Sequence, residues 1–442
     1  MPINYSDSAG GVFEPARQTP IAREVDVLVV GGGMSGSSAA IAAASEGADV
    51  MLVDRYGFLG GTATAAMVGV FCGVYTCAPD STHQLLVGGN GLGMMQRLER
   101  IGAGHKYRHR FQVDHEMLKL VLDGWLQEVG VKMLLHATVV DTLVDNGTVR
   151  GVVVETKGGR QAILAKRVID ASGDGDVAAQ AGVPFESGDA QGRLQAPTMV
   201  FYMGNVDVER AMAHPEREIR QKLLEVGSSG EFDFPRVSGS FSPAPAPGKV
   251  HVNMSRVPGV DGCDPWSLTA GTLEGRRQVE GFARFLVKYI PGFESARVDA
   301  VAPQLGIRET RRIMGEHVLT REDVLEAHKF DDAVCRSSWP IEDHSEGRET
   351  IRLHLPGDAY YQVPYRCLVP LERDNLLISG RCISATHDGQ ASVRVMGPGM
   401  VIGEAAGTAA ALSLREGCTP RALAGLTRPV LREALLRRGA LI

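Results

Sequence analysis

Apolar residues in the first third of the chain fall into short runs of two different periods. Val25-Asp26-Val27-Leu28-Val29-Val30 is compact and β-branched, the pattern of a strand buried inside a parallel sheet. Small residues across 37–46 predict a close-packed helix, and 49–53 a second strand. Between Asp114 and Gly130 the apolar positions Met117, Leu118, Val121, Leu122, Trp125 and Leu126 recur at helical spacing and define one buried face. Residues 131–135 read as a strand. Three β-rich runs follow, 137–144, 149–156 and 160–168, with Asn146-Gly147 and Gly158-Gly159 as hairpin turns between them. A β-meander that returns its last strand to the parallel sheet brings residues 172–176 next to whatever that sheet binds.

The pattern changes from Gly182 to about Leu355, where Pro and Gly become frequent and strand-like runs (197–203, 249–254) mix with helical ones. Residues 273–289 predict a helix with Phe282, Phe285, Leu286 and Tyr289 on its buried side. Near Tyr361 the chain returns to the first lobe. Residues 376–379 read as a strand, and 398–414 as a Gly/Ala-rich helix after a Gly-Pro-Gly turn. Residues 420–442 read as one further basic helix with Leu431, Leu435 and Leu436 as core contacts. The expected fold class is α/β: a Rossmann-like domain with a parallel sheet and β-meander, plus a mixed α+β substrate domain. The expected divisions are an N-terminal arm (1–24), a nucleotide-binding domain in two parts (25–185 and 356–418), a substrate or cap domain (186–355) and a C-terminal helix (419–442).

Composition narrows the function classes. A length of 442 residues allows two or three lobes, and 53 glycines suit an enzyme with many close backbone approaches. The formal charge of −6 gives no electrostatic case for nucleic acid or anionic membranes. No apolar run reaches the ~18 residues of a membrane span, and the first two dozen residues lack a hydrophobic signal core. Seven scattered cysteines without metal-type spacing suggest reduced thiols in a cytoplasmic protein and no metal site. Cys72 and Cys77 are candidates for a redox pair or for buried small residues.

Chemistry enters at Gly31, Gly33 and Gly36, which follow the first strand in GxGxxG spacing, with Met34 and Ser35 opening the helix. Such glycines permit the tight turn, the approach of backbone to a pyrophosphate and close helix–strand packing, while the helix N-terminus faces the phosphates. Asp54, 23 residues after Gly31, is positioned to accept hydrogen bonds from a ribose hydroxyl. This motif alone does not choose between FAD and NAD.

The later segments carry a resemblance. VDVLVVGGGMSGSSAAIAAA, VDRYGFLGGTAT, RVIDASGDGDVAAQAGVPFE, GIRETRRIMGEHVLT, YQVPYRCLVP and ISGRCISATHDGQASVRVMGPGMVIGEAAGTAAAL span residues 25–412. In that order they resemble the FAD-dependent oxidoreductases of the glutathione-reductase (GR2-like) superfamily, in the group marked by an acid-Arg-x-x-x-Leu-Gly-Gly-x-x-Thr signature. The resemblance implies FAD held at the pyrophosphate by Gly31, Gly33 and Gly36, at the adenosine by Asp54 and Arg55, and along the diphosphate–ribityl path by Gly60, Gly61 and Thr62. It also implies adenine contacts from Val139, Gly173 and Asp174, ribityl contacts from Arg381 and Ile383, and a helix start of Met400, Val401 and Ile402 beneath the isoalloxazine. Asp54 departs from the Glu usual there.

The implied activity is oxidation or reduction of a small polar organic substrate by hydride transfer at the flavin N5, with electrons exchanged with oxygen or an external acceptor. Proton management calls for a His, Tyr or acid near the ring. His387, six residues after Arg381, is the first candidate, followed by His344 and Tyr361. Arg308 and Arg312, four residues apart, and Arg394 are candidates for an anion clamp, the alternative being salt bridges to Glu309 and Glu316. An electron-transfer subunit of a larger redox complex is the alternative class, and the absence of any CxxC argues against it. Covalent flavin attachment through Cys72 or Cys382 is left open, and a homo-oligomer is the default assembly.

Overall fold

In the computed structural model, which describes residues 16–237, 239–345, 350–425 and 429–442, the strand Ile21–Val30 lies inside a seven-stranded sheet. Its parallel part runs Lys132–Leu134, Val50–Val53, Ile21–Val30, Gly159–Asp170 and Leu376–Ile378. The strands Thr138–Asp145 and Thr148–Thr156 add antiparallel to the first half of Gly159–Asp170, forming the meander. Asn146 and Gly147 have φ of 46° and 78°, the paired positive values a type I′ hairpin needs. The long strand Gly159–Asp170 therefore has two neighbours in succession along one edge. Its first half pairs with the meander, and its last residues pair in parallel with Leu376–Ile378. Residues 171–176 thus leave the sheet at the same carboxyl edge as Gly31, where open α/β sheets bind ligands. The first strand starts at Ile21, so residues 21–24 belong to the sheet and not to an arm, while residues 1–15 of the expected arm lie outside the described residues.

The helix Met34–Ser45 packs on the long helix Met396–Arg415 almost backbone to backbone. A Cβ on Gly403 would lie 2.0 Å from the Ser35 carbonyl oxygen, and one on Gly407 2.0 Å from that of Ala39. Only glycine permits that approach. The long helix begins at Met396 and not at Pro398. Proline fits a first helical turn because the N–H it lacks has no intrahelical partner there, so the Gly-Pro-Gly run is helical instead of preceding the helix. At the C-terminus, two short helices, Pro420–Leu423 and Val430–Arg437, replace the single expected one; Leu431 and Leu435 are buried, but Leu436 is half exposed.

A second core forms around an antiparallel sheet ordered Ser240–Pro243, Val250–Asn253, Phe201–Gly204, Arg297–Val301. Phe201, Met203, Val250 and Val252 pack with Phe282, Phe285 and Leu286 of the helix Pro265–Tyr289. That helix starts eight residues earlier than its apolar face suggests, because Asp264 caps it by accepting from the N–H groups of Trp266 and Ser267 and Pro265 opens it. Strand alternation turns Asn253 the other way, into the cavity shared with the first lobe, where Val200, just before its strand, also reaches the wall. No single described helix is long and apolar enough to cross a membrane; His387–Val393 with Met396–Arg415 passes only as a pair bent by 95°.

Candidate active site

The site begins as a backbone cradle. Gly31 has φ 98°, and a Cβ there would lie 2.4 Å from the Ala171 carbonyl oxygen; one on Gly36 would lie 1.8 Å from that of Gly31. The turn after the first strand can therefore close only with glycine. Leu59-Gly60-Gly61-Thr62 then lies against it: the Gly60 N–H donates to the Gly32 carbonyl at 2.8 Å, and a Cβ on Gly61 would meet Gly33 Cα at 2.8 Å. Asp54 accepts from the Gly32 N–H at 2.5 Å and the Tyr56 N–H at 2.8 Å. Burial pushes its carboxyl above the usual range, against these two bonds. Asp54 thus ties the turn and still presents itself to the cavity.

One cavity of about 320 Å³ runs from this cradle under the second lobe, within the roughly 300–1,000 Å³ of small-molecule sites. Asp54, Arg55 and Val139 line its start, and Gly31, Gly33, Met34, Ser35, Gly60, Gly61, Thr62, Gly173 and Arg381 its middle. The start of the helix Met34–Ser45, with N–H groups that have no intrahelical partner, opens onto the cavity here, an arrangement that suits an anion. Six expected contacts are not in the wall. Gly36 is occupied by helix–strand packing, and Ile383 is buried in the core. Asp174 stands behind, accepting from Arg381 and Thr310 (2.6 and 2.9 Å). Met400, Val401 and Ile402 sit in the second turn of their helix, within the core, because that helix starts early; Val395, Met396 and Gly399 line the cavity instead.

The far end is made of side chains from seven separate segments: Cys72, Arg110, Arg236, Asn253, Arg308, the run holding Trp339, Glu342 and His344, and Arg394. Of the proton-handling candidates only His344 reaches it. Its Nδ1 is 3.1 Å from Thr350 Oγ1 and its Nε2 3.7 Å from Glu342 Oε2. Burial, then the charge of Arg308, holds its pKa well below the ordinary value, so the imidazole is neutral. Arg308 donates to the Ala196 carbonyl and Arg394 to that of Glu342. Burial and the neighbouring Arg394 and Arg236 depress the pKa of Arg308. Three buried polar atoms of the wall have no protein partner: Arg394 Nε, Trp339 Nε1 and Asn253 Oδ1.

Three other candidates stand elsewhere. Tyr361 is fully buried, its hydroxyl 2.7 Å from Ser392 Oγ and its pKa raised by burial. Arg312 lies behind the wall, ion-paired to Glu309 and donating to the Gly188 and Ala385 carbonyls at 3.1 and 3.0 Å. His387 bridges two carboxylates, Nδ1 to Glu309 at 3.0 Å and Nε2 to Asp343 at 3.3 Å. Against the effect of burial these raise its pKa to about 9. It is an imidazolium strut, not a base. The chain Arg312–Glu309–His387–Asp343 holds the strand Ile341–Asp343 from behind, and alternation turns Glu342 to the cavity. Cys72 lines the cavity with its thiol pKa raised by burial; Cys382 is buried outside it, and all seven cysteines are free.

Sequence reasoning missed Arg110, Arg236, Asn253, Trp339 and Glu342, none of which belongs to a motif. Among known proteins, a family model described as FAD dependent oxidoreductase matches residues 26–435. No curated protein matches the chain. Solved structures of similar shape include a geranylgeranyl bacteriochlorophyll reductase-like protein from Thermoplasma acidophilum, with 13% identity, a TM-score of 0.47 and coverage of 94% of this chain and 83% of that one. Another is p-nitrophenol 4-monooxygenase from Pseudomonas putida, also at 13% and 0.47, covering 93% and 89%. The flavin-dependent brominase Bmp2 gives 13% and 0.44, covering 93% and 83%. Likeness at this level carries no argument about substrate.

Proposed function

Because the chain belongs to the FAD dependent oxidoreductase family, we propose that it oxidises or reduces a small polar organic substrate held at the arginine-rich end of its cavity. Within the family we assign it to the glutathione-reductase-like (GR2) branch with the Leu-Gly-Gly-x-x-Thr signature. Leu59-Gly60-Gly61, closed on Gly32 and Gly33, supports that assignment. The residues fit FAD: the side-chain-free turn at Gly31 and Gly33 and the helix start at Met34 form a cradle for a pyrophosphate, while Asp54 and Val139 stand at the nucleoside end. FAD, when bound, supplies two-electron redox chemistry, with oxygen or an external acceptor taking or giving the electrons.

The protein's own part is orientation and proton handling. Arg308 and Arg394 present fixed N–H donors to substrate oxygens. His344, neutral and held between Thr350 and Glu342, is the group able to accept a proton at the substrate. An anionic substrate offsets the arginine charges that depress its pKa, so binding makes it a better base. The observation that carries this reading is the single cavity joining the glycine cradle to His344, Arg308 and Arg394. Anaerobic titration of the yellow protein with small organic acids, alcohols and amines tests it. Bleaching of the flavin bands by one of them, slowed at least about tenfold in His344→Gln, supports it. A protein that takes up no FAD sinks it.

A further inference from the structure

We infer that the substrate is a small organic acid bearing two or more carboxylates, bound by Arg110, Arg308 and Arg394 together. The inference rests on the redox reading above and names its substrate class. Guanidinium groups do not shed their protons, so a buried excess of them calls for anions. Among the described residues lining this end, Glu342 is the one carboxylate, and it is engaged at 2.8 Å by the exposed Arg352. Arg308 and Arg394 meet backbone carbonyls, which satisfy N–H groups but bring no charge.

The cradle end has its own charges: Arg55 and Arg381 stand with Asp54, Asp174 and Asp176. The excess at the far end is therefore separate from them. A second observation is the hydrogen-bond inventory. Trp339 is 4% exposed with its Nε1–H unpartnered, and the Nε–H of Arg394 is also unpartnered, both in this wall. Both are donors only, and a carboxylate is an acceptor only. Arg110 stands over the Trp339 ring at 5.8 Å, and Arg110, Arg308, Trp339 and Arg394 line the same cavity, so the cations surround one volume. One carboxylate leaves most of this charge uncompensated; two or three offset it.

The test is calorimetric titration of the FAD-loaded protein with succinate, tricarballylate, butyrate and uncharged succinamide at low ionic strength. The expected result is binding of the first two at least about tenfold tighter than butyrate, with no measurable heat from succinamide. Arg308→Met and Arg394→Met should each remove most of that preference. Should either variant lose FAD, Arg308→Lys and a salt series on the unaltered protein give the same reading, through weaker diacid binding at higher salt. Butyrate or succinamide binding as tightly as the diacids, or variants that leave the preference intact, would overturn the inference. Flavin bleaching by an uncharged substrate, with no diacid bound, overturns it while the redox reading stands. An absence of FAD uptake overturns the redox reading instead.

Discussion

The two ends of the cavity are built by different means. The cradle end is backbone: Gly31, Gly36, Gly60 and Gly61 have no room for a side chain, and they come from two short neighbouring segments. The far end is side chain, assembled from positions as distant as Cys72 and Arg394. A site made by missing atoms tolerates no substitution. A site made by charge tolerates substitution but loses selectivity. On the function proposed above, the cradle serves a cofactor of invariant shape, while the far end selects the substrate.

The largest effect should come from adding atoms where two backbones touch. Gly36→Val puts its Cβ 1.8 Å from the Gly31 carbonyl oxygen, and Gly403→Val puts one 2.0 Å from that of Ser35. Each should cost roughly 3 kcal/mol or more and abolish FAD retention, read by thermal melting and visible absorbance. If either variant stays yellow and stable, the cradle is not defined by backbone contact.

The strut behind the far end comes next. His387→Leu leaves Glu309 and Asp343 without their shared cation and should cost about 3 kcal/mol of stability. The pKa of His387 rises on folding from 6.5 to about 9, so its contribution is fully present below pH 6.5 and fades as pH climbs through 9. Melting curves between those values should show a decline that His387→Leu lacks. A parallel decline in both proteins would remove the strut.

At the far end itself, Arg308→Met should raise KM for an acidic substrate about tenfold or more with FAD content unchanged. An equal fall in FAD content would tie Arg308 to the cradle and blur the two regions. The smallest effect belongs to the surface: Trp266, 81% exposed at the start of its helix, should accept serine within about 0.5 kcal/mol and with unchanged kcat/KM.

The cradle was legible because each of its requirements maps onto local sequence. GxGxxG after a β-branched run, an acid after the next strand, and Asn146-Gly147 between β runs each state a backbone conformation by composition. Where local reading failed, a competing local rule had won. Asp264-Pro265 began a helix earlier than its hydrophobic face implied, and Pro398 proved compatible with a first helical turn, which moved Met400, Val401 and Ile402 from the wall into the core.

The chain by itself determined the α/β class, the cradle, FAD and three members of the far wall, Arg308, Arg394 and His344. Tertiary structure alone decided that Arg312 and His387 face away into a buried ion chain, that Tyr361 lies in the core, and that Arg110, Arg236, Trp339 and Glu342 converge. The physical reason is range. A tight turn or cap is specified by residues within a few positions. The burial and electrostatic surroundings of an arginine or histidine depend on which distant elements fold against it. The same residue type can then become a salt-bridge partner or a substrate ligand without any change in its local sequence.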